Sequence, residues 1–419
     1  MNIFSRPASP ETIRKKKFAI LLCGVVLYFL TCMAKVLIPG SIYDELLESG
    51  MDAEMIAGTG AAFMYAYAAS QLLAGIYSKC CGGVRILLAG GTLFAVGCLG
   101  FPIAKFYPLM IFFRILTGLG AGTVFLGVIK LIGDLYSRKF AMVLGTIMFF
   151  SYFGPAFGTT PMVMLTKAAG WQQAMMLPGV IAMSAAILIL LISPGTFKPI
   201  IKGETLQPLK KMLKNRSMWL INLTLPTVFG AYYILTSQLG LKSLTDHCQI
   251  APEYAATIIM ALTLLVALNN IMGNLLLKLC KNRRKPALVI SMFSTLAGSV
   301  AGYFVFRSTH SVAAVTAAFI LIAIPAGFFP IFSTVAKELN PPEETGLSVA
   351  LLNFWCFVYI AVFQNISGRI LQAATPADAV IYPPEAYTAV FTFLIIASLI
   401  SLAGCCCCRE TASGAKDAG

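Results

Sequence analysis

The stretch from Tyr107 to Arg138 constrains the fold of this chain more than any other. It reads YPLMIFFRILTGLGAGTVFLGVIKLIGDLYSR and is almost wholly apolar. About 20 apolar residues suffice to cross the hydrocarbon core of a bilayer. Arg114 lies near the middle of the run, where an arginine costs about 2.5 kcal/mol or more unless it faces water, a ligand or a partner group. We therefore expect a membrane-spanning helix with a functional arginine.

The remainder of the chain repeats this apolar pattern. Of its 419 residues, 58% are hydrophobic and only 11% are charged, which excludes a water-soluble globular protein. Apolar runs that are long enough to cross a bilayer cover residues 18–38, 55–78, 86–104, 107–132, 140–165, 173–193, 217–240, 254–278, 286–306, 311–335, 345–371 and 386–404. The sequence therefore predicts an all-α membrane protein with twelve transmembrane helices.

A polar connection over residues 195–216 divides these spans six and six. The second span of each half ends with a glycine and then a basic turn, around Gly75 and around Gly273, so the halves resemble repeats. We therefore predict two six-helix pseudo-repeats, which we call the N-half (18–194) and the C-half (217–404). A basic N-terminal segment (1–17) precedes them, the linker (195–216) joins them, and a tail (405–419) follows them.

The net charge of +14 indicates membrane orientation rather than a nucleic-acid partner. If the N-terminus is cytoplasmic, 23 of the 31 Lys and Arg residues lie in inner segments or at inner span ends, against five on the outer side. Because positive residues are retained on the cytoplasmic side, both termini are predicted to be cytoplasmic in a multi-pass protein of the cell membrane.

Two cations inside the predicted spans are candidates for a solute site. At 1.5 Å per residue, Lys35 and Arg114 lie at matching depth, roughly 8 Å to the outer side of the midplane. No Asp or Glu falls within the spans, so a cavity that holds both cations favours an anion. We expect Arg114 to bind the anion with its planar fork and Lys35 to add a point charge. In the alternative, Arg114 only braces helices through backbone carbonyls and Lys35 extends to the outer surface.

Polar side chains in the spans are further candidates for contacts with the solute. Tyr28 and Thr31 share a helix face with Lys35. The others are Gln71, Tyr232, Tyr233, Gln238, Asn269 and Asn353. The alternative is that such groups only form hydrogen bonds between helices, which contribute about 0.6 kcal/mol each.

The sequence offers no catalytic centre, metal site or cofactor site. His247 and His310 are the only histidines, and both fall in predicted outer loops without a buried carboxylate beside them. The chain has no GxxxxGK[ST] nucleotide-binding loop, and its span hydroxyls and thiols have no adjacent base. The run from Cys405 to Cys408 at the inner end of the last span is interpreted as a reduced cluster, with acylation or a soft metal as alternatives.

Three groups of residues together resemble the signatures of the major facilitator superfamily of secondary transporters, over residues 15–405. They are Gly75, Gly82 and Arg85 around the turn after span 2, Arg114 with Gly118 and Gly120 in span 4, and Gly154, Pro155 and Gly158 in span 5. The resemblance implies a central cavity lined mainly by spans 1, 4, 7 and 10. It also implies that spans 2, 5, 8 and 11 form the interface between two rocking halves.

The turn after span 2 departs from the family pattern. The family usually has an aspartate where this chain has Lys79, so the acid of the cytoplasmic gate is missing. Asp134, at the end of span 4, is a candidate substitute if it lies near Arg85 or Arg138. The resemblance assigns the glycines and Pro155 to the same conformational machinery.

These observations predict a transporter that moves a small organic solute, expected to be anionic, by alternating access. It is expected to act as a monomer in the bilayer, with or without a coupling ion. A multidrug exporter of the same fold and a non-transporting membrane sensor are the alternatives. An exporter of cationic drugs commonly needs a carboxylate in the membrane, and a sensor is expected to carry a long soluble domain.

The charge bias predicts the topology directly. A reporter fused after Gly419 and one inserted near Thr205 should both report the cytoplasm, whereas one inserted at Ser49 should report the outside. The measurement is the activity of a reporter that works on one side of the membrane only. An outside signal from Thr205 would overturn the division into six and six spans.

Overall fold

Helices account for almost all of the structure. The computed structural model describes residues 10–77, 82–136, 139–151, 153–197, 207–341, 345–376 and 381–411. The helices within these ranges are α1 (Pro10–Leu37), α2 (Tyr43–Glu48), α3 (Ala53–Tyr77), α4 (Gly83–Gly100), α5 (Tyr107–Tyr136), α6 (Phe140–Ser151), α7 (Phe153–Phe157), α8 (Thr160–Ala169), α9 (Trp171–Ile192), α10 (Gln207–Met212), α11 (Arg216–Thr224), α12 (Thr227–Ile234), α13 (Gly240–Cys248), α14 (Pro252–Leu279), α15 (Arg284–Ser308), α16 (Val312–Ala323), α17 (Phe329–Glu338), α18 (Thr345–Ala373) and α19 (Pro384–Cys407). The predicted all-α class is confirmed.

The number of membrane crossings is close to the predicted twelve. In the described part of the chain, ten helical segments are long and apolar enough to cross a membrane, and α6–α7 with α8 form a bent pair that makes an eleventh. Helix α3 occupies the second predicted span, and its 25 residues extend about 37 Å. The multi-pass architecture is confirmed, while the full count of twelve stays a prediction.

Several predicted spans are broken rather than straight. The helix axis bends by 44° between Met142–Phe157 and Thr160–Ala169, and Pro161 lies in the first turn after the bend. The tenth span is interrupted by a 3-10 turn at Ile324–Phe328, which contains Pro325 and Gly327. Proline cannot donate a backbone hydrogen bond and so weakens the helix at these points. Both prolines lie within predicted spans, 140–165 and 311–335.

The seventh span continues further than the sequence predicted. It consists of α11 and α12, a π-helical turn at Leu235–Leu239, and α13, which ends only at Cys248 because Gln249 adopts a left-handed conformation. Lys242 and Asp246, which we expected in an outer loop, therefore lie on a helix with side chains only 3% and 4% exposed. The expectation that no acid is buried was wrong for Asp246.

Glycines on α5 create two close contacts with neighbouring helices. A Cβ atom on Gly118 would lie 2.3 Å from the Phe63 carbonyl oxygen of α3. A Cβ atom on Gly120 would lie 2.3 Å from the Phe94 backbone nitrogen of α4. The two contacts lie on opposite faces of α5, so its glycines let a neighbouring helix approach closely on each side.

The two ends of the bundle differ in how the halves meet. We call one the sealed end, because it carries the ion pairs Asp44–Lys242, Glu54–Arg369 and Lys167–Glu253, each of which joins the N-half to the C-half. We call the opposite end the termini end, since α1 begins there and α19 ends there.

The seam between α4 and α5 can be tested by adding one methyl group. Gly120→Ala should destabilise the protein by about 1–3 kcal/mol, because the new Cβ would meet backbone atoms that cannot yield. Gly133→Ala on the same helix is the matched control, since nothing lies within 4 Å of its added Cβ. The apparent melting temperature of the purified protein measures the effect. Equal melting temperatures for the two variants would contradict this packing.

Candidate solute-binding site

Lys35 lies at the centre of the candidate site, near the end of α1, and is 8% exposed. Its Nζ atom lies 4.5 Å from the ring centroid of Tyr67 on α3 and 5.2 Å from that of Phe357 on α18. Aromatic faces attract a cation by about 0.5–2 kcal/mol, depending on exposure. The N-half therefore supplies the ammonium and one ring, and the C-half supplies the other ring.

Four helices converge on this ammonium group. The rings of Tyr67 and Phe357 contact each other, with centroids 4.2 Å apart. Tyr233 on α12 lies in the neighbourhood of Lys35. Lys35 is thus enclosed by α1, α3, α12 and α18 instead of extending to the outer surface. Of the two alternatives for Lys35, the structure favours the enclosed one.

The charge on Lys35 has no carboxylate counterpart among the described residues, because none of their ion pairs involves it. Rings and hydroxyl groups stabilise an ammonium only partly. A buried charge without a counter-ion costs several kcal/mol, so the site favours an anion from solution.

Arg114 is fully buried in a different environment and is 1% exposed. Its Nε donates to the Thr59 carbonyl oxygen at 3.0 Å, and its Nη2 donates to the Ile38 carbonyl oxygen at 3.1 Å. Its guanidinium carbon lies 4.7 Å from the ring centroid of Phe63. These contacts are those of the bracing alternative, in which the arginine joins the end of α1 to α3.

The structure does not bring Lys35 and Arg114 to a shared set of partners. Arg114 contacts the ring of Phe63, Phe63 stacks on Tyr67 at 6.1 Å between centroids, and Tyr67 contacts Lys35. The two cations are therefore connected through aromatic rings. In this conformation Lys35 is the better candidate for binding an anion, because the Nε and Nη2 groups of Arg114 already donate to carbonyl oxygens.

Gln71 and Asn353, two predicted contacts with the solute, meet across the interface between the halves. Asn353 Nδ2 donates to Gln71 Oε1 at 3.3 Å, and Gln71 Nε2 donates to the Gly122 carbonyl oxygen at 3.4 Å. This pair links α3 to α18.

Gln238 belongs to a buried polar network at the π-helical turn of span 7. Its Nε2 donates to the Gln364 carbonyl oxygen at 3.2 Å, and its Oε1 accepts from Ser367 Oγ at 3.0 Å. Gln364 Nε2 in turn donates to Ser237 Oγ at 2.8 Å. Gln364 and Ser367 were missed, because a polar side chain in a long apolar run gives no sign of its partner. Single π-helical turns are frequent at functional sites.

The remaining predicted contacts mostly pack or brace helices. Tyr28 stacks on Phe125 with centroids 5.0 Å apart, and Thr31 donates to the Tyr28 carbonyl oxygen at 2.8 Å. The ring of Tyr232 lies 5.2 Å from that of Tyr233. Asn269 Nδ2 donates to the Ile324 carbonyl oxygen at 3.3 Å, where the tenth span is broken.

The predicted gate residues at the termini end have other partners than expected. Asp134 accepts from Lys17 Nζ at 3.0 Å, so the acid is bound to the basic segment before span 1. Arg85 lies over the ring of Phe197, 5.3 Å from its centroid. Arg138 lies outside the described residues. The partner of Asp134 among the described residues is thus Lys17, which lies far away in the sequence, while its expected proximity to Arg85 or Arg138 stays a prediction.

The predicted conformational glycines occupy turns and close contacts. Gly75 lies in the last turn of α3, and Gly82 precedes α4 in an extended conformation. Gly154 and Gly158, on either side of Pro155, bring α7 against α1. Their added Cβ atoms would lie 2.6 Å from the Phe29 and 2.9 Å from the Met33 carbonyl oxygens.

Sequence comparison gives one family and one relative. A sequence profile of the Major Facilitator Superfamily matches residues 20–364. Human Monocarboxylate transporter 14 is 28% identical over 129 residues, which are 29% of this chain and 24% of that protein. The match thus spans about a quarter of the length of this curated relative.

Solved structures of transporters share the fold. A mutant of the nucleoside transporter NupG superposes with a TM-score of 0.74, at 13% identity, covering 93% of this chain and 99% of the other. A bacterial homologue of the human lysosomal transporter Spinster, in an inward-facing and unoccupied conformation, gives 0.72 at 13% identity, with 96% and 98% covered. The D-xylose-proton symporter gives 0.67 at 14% identity, with 92% and 97% covered. At these identities the likeness concerns the fold alone.

The bracing role of Arg114 predicts a stability defect in the empty protein. Arg114→Lys keeps the charge but cannot reach both carbonyl oxygens, and an unsatisfied buried carbonyl costs about 1–3 kcal/mol. We expect a lower apparent melting temperature without any solute. Arg85→Lys is the control, because Arg85 is only partly buried and packs over a ring. An Arg114→Lys protein with unchanged melting but weakened anion binding would instead support the fork hypothesis.

Proposed function

The chain belongs to the Major Facilitator Superfamily, and we propose that it moves a small organic anion across the cell membrane by alternating access. The observation that carries this proposal is the buried ammonium of Lys35, which has no ion-pair partner among the described residues. An anion that binds there replaces the water that the ammonium has lost.

The surroundings of Lys35 favour a single carboxylate on a compact apolar body. One cation compensates one negative charge, and the rings of Tyr67 and Phe357 offer apolar walls instead of further donors. The hydroxyl groups of Tyr67 and Tyr233 can donate to a carboxylate oxygen. The name of the human relative, Monocarboxylate transporter 14, agrees with this chemical class.

The division of the site between the halves supports alternating access. Lys35 and Tyr67 belong to the N-half, whereas Tyr233 and Phe357 belong to the C-half. A solute held by both sets of residues draws the halves together, and one that leaves lets them separate. Gln71 and Asn353 join the halves through a single neutral hydrogen bond, which can break and re-form during this motion.

The ion pairs of the sealed end indicate which side is open. Because those pairs close one end of the interface, we propose that the solute enters and leaves this conformation through the termini end. By the positive-inside rule the termini end faces the cytoplasm. The bacterial Spinster homologue, which shares the fold, adopts an inward-facing and unoccupied conformation. We propose the same inward-facing conformation for this chain.

A multidrug exporter of the same fold fits the site less well. Cationic compounds would be repelled by Lys35, and the buried carboxylate of Asp246 is already bound by Lys242. Among the described residues, the centre of the interface therefore offers a cation without a free acid.

Lys35→Gln tests the proposed function. Benzoate and L-lactate serve as anionic probes, and benzamide serves as the neutral match of benzoate. A charged hydrogen bond is worth about 1.5–3 kcal/mol, so Lys35→Gln should weaken anion binding by about 10-fold to 150-fold. Calorimetry on the purified protein measures the affinity, and uptake into proteoliposomes measures transport.

The control for this test is Lys130→Gln, which removes a cation from α5, close to the termini end. It should leave the affinity for benzoate within about twofold of the parent value. The proposal fails if the folded Lys35→Gln protein binds these anions as the parent does, or if benzamide binds as tightly as benzoate.

A further inference from the structure

The last helix, α19, has two different faces along its length. Its buried face carries Leu394, Ser398, Ser401 and Cys405, at the spacing of three or four residues that places side chains on one side of a helix. The opposite face is not covered by protein and therefore contacts lipid, since the helix crosses the membrane. We call this face the lipid-facing stripe, and its exposed residues are Ile396, Leu399, Ile400, Ala403, Cys406 and Cys407.

The four consecutive cysteines at the end of α19 are divided between these two faces. Cys405 and Cys408 are 0% and 5% exposed. The thiol of Cys408 donates to the Gly404 carbonyl oxygen, with its Sγ atom 3.6 Å away. Cys406 and Cys407 are exposed and continue the lipid-facing stripe. The run therefore consists of two thiols that pack inside the protein and two thiols at its surface.

The exposed thiols lie where the hydrocarbon core of the bilayer meets water. Helix α19 has 24 residues and is about 36 Å long, which exceeds the roughly 30 Å of the hydrocarbon core. Cys406 and Cys407 belong to its last turn, and the exposed Arg409 follows shortly after them. Basic side chains flank membrane spans on the watery side. The two thiols are thus at the depth of the lipid headgroups, at the termini end.

Neighbouring helices hold the chain that follows these thiols. Glu410 accepts from the backbone N–H groups of Arg284 at 2.7 Å and of Lys285 at 3.2 Å, in the first turn of α15. Thr411 Oγ1 donates to Glu338 Oε2 on α17 at 2.5 Å. The thiols are therefore presented at a fixed place on the bundle, and not on a free tail.

A soft metal ion does not suit this arrangement. Such an ion needs several thiolates that converge on one point, whereas the buried and the exposed pair lie on opposite sides of α19. The part of the chain that the structure describes contains no group of three or more His, Cys, Asp or Glu residues that could hold a metal. Burial makes Cys405 and Cys408 inert, which leaves Cys406 and Cys407 for chemistry at the membrane surface.

We propose that Cys406 and Cys407 form a site of S-acylation, which accepts long-chain acyl groups from acyl-coenzyme A. The thiolate sulfur attacks the carbonyl carbon of the donor thioester, and the bond from this carbon to the sulfur of coenzyme A breaks. Coenzyme A leaves and takes the proton that the cysteine has lost. One thioester replaces another, so the step consumes no oxidant or reductant. By the positive-inside rule the termini end faces the cytoplasm, where thiols stay reduced.

The lipid-facing stripe favours a long acyl chain over a short one. The chain of an amphiphilic donor lies in the bilayer with its thioester near the headgroups, which is the depth of the two thiols. After transfer, the chain can lie in the hydrocarbon along Ala403, Ile400 and Leu399. A short and water-soluble donor gains nothing from this surface. The proposal goes beyond the anion site at Lys35 and does not depend on it.

The experiment uses the full-length protein in lipid nanodiscs with palmitoyl-coenzyme A as the acyl donor. Intact-mass spectrometry counts the added palmitoyl groups before and after treatment with neutral hydroxylamine, which cleaves thioesters and leaves amides intact. Peptide mapping assigns the modified residues. We expect hydroxylamine-sensitive groups on Cys406 and Cys407. Acetyl-coenzyme A at the same concentration should leave both thiols largely unmodified.

Two variants locate the site. The double variant Cys406→Ser and Cys407→Ser should lose the modification, because Cys405 and Cys408 beside them are buried and unreactive. Both substituted side chains contact lipid, so this variant should fold as the parent does. Cys280→Ser is the matched control, since Cys280 lies directly after α14 and away from the lipid-facing stripe. It should keep the parental number of acyl groups.

Three results would overturn the proposal. The parent protein could take up no hydroxylamine-sensitive group from palmitoyl-coenzyme A. The palmitoyl groups could persist in the double variant, which would place them on other cysteines. Acetyl-coenzyme A could modify the two thiols as fully as palmitoyl-coenzyme A does, which would show reactive thiols without a preference for lipid. The assay contains no transported solute, so its outcome is separate from that of the anion hypothesis.

Discussion

Lys35, Arg114 and Lys242 are three cations removed from water, and the arrangement of the helices depends on how each is stabilised. Arg114 is bound by two backbone carbonyl oxygens, and Lys242 is bound by two carboxylates. Among the described residues, Lys35 has aromatic rings beside it and no carboxylate partner. Because a buried charge is costly until it is compensated, the first two fix helices in place and the third favours a ligand.

Close helix packing and broken helices have complementary roles in this bundle. Glycines on α5 let α3 and α4 approach until their backbones are in contact, which gives the N-half a rigid body. Breaks near Pro155 and Pro325 interrupt spans at the interface and around the proposed cavity. Rigid halves with weakened helices between them are suited to rocking, since the motion is confined to a few residues.

The proposed anion site and the ion pairs of the sealed end lie in the same interface, and both use residues from each half. Closing the sealed end brings Asp44 to Lys242, and a solute bound at Lys35 would contact Tyr67 of the N-half and Phe357 of the C-half. The two events therefore favour the same movement. Exposed ion pairs such as Glu54–Arg369 add little to the stability of the closed end, because ion pairs in water contribute about 0–1 kcal/mol.

Sequence alone determined the all-α membrane class, the broken spans and the importance of Lys35 and Arg114. These follow from local chemistry: an apolar run crosses the bilayer, a proline weakens a helix, and a charge in an apolar run needs a partner. It did not determine which partner each charge has. Arg114 finds carbonyl oxygens of Ile38 and Thr59, Asp134 finds Lys17, and Lys242 finds Asp44, all of them far away along the chain. Only the tertiary structure decided these pairings, because they depend on which helices meet and at what depth.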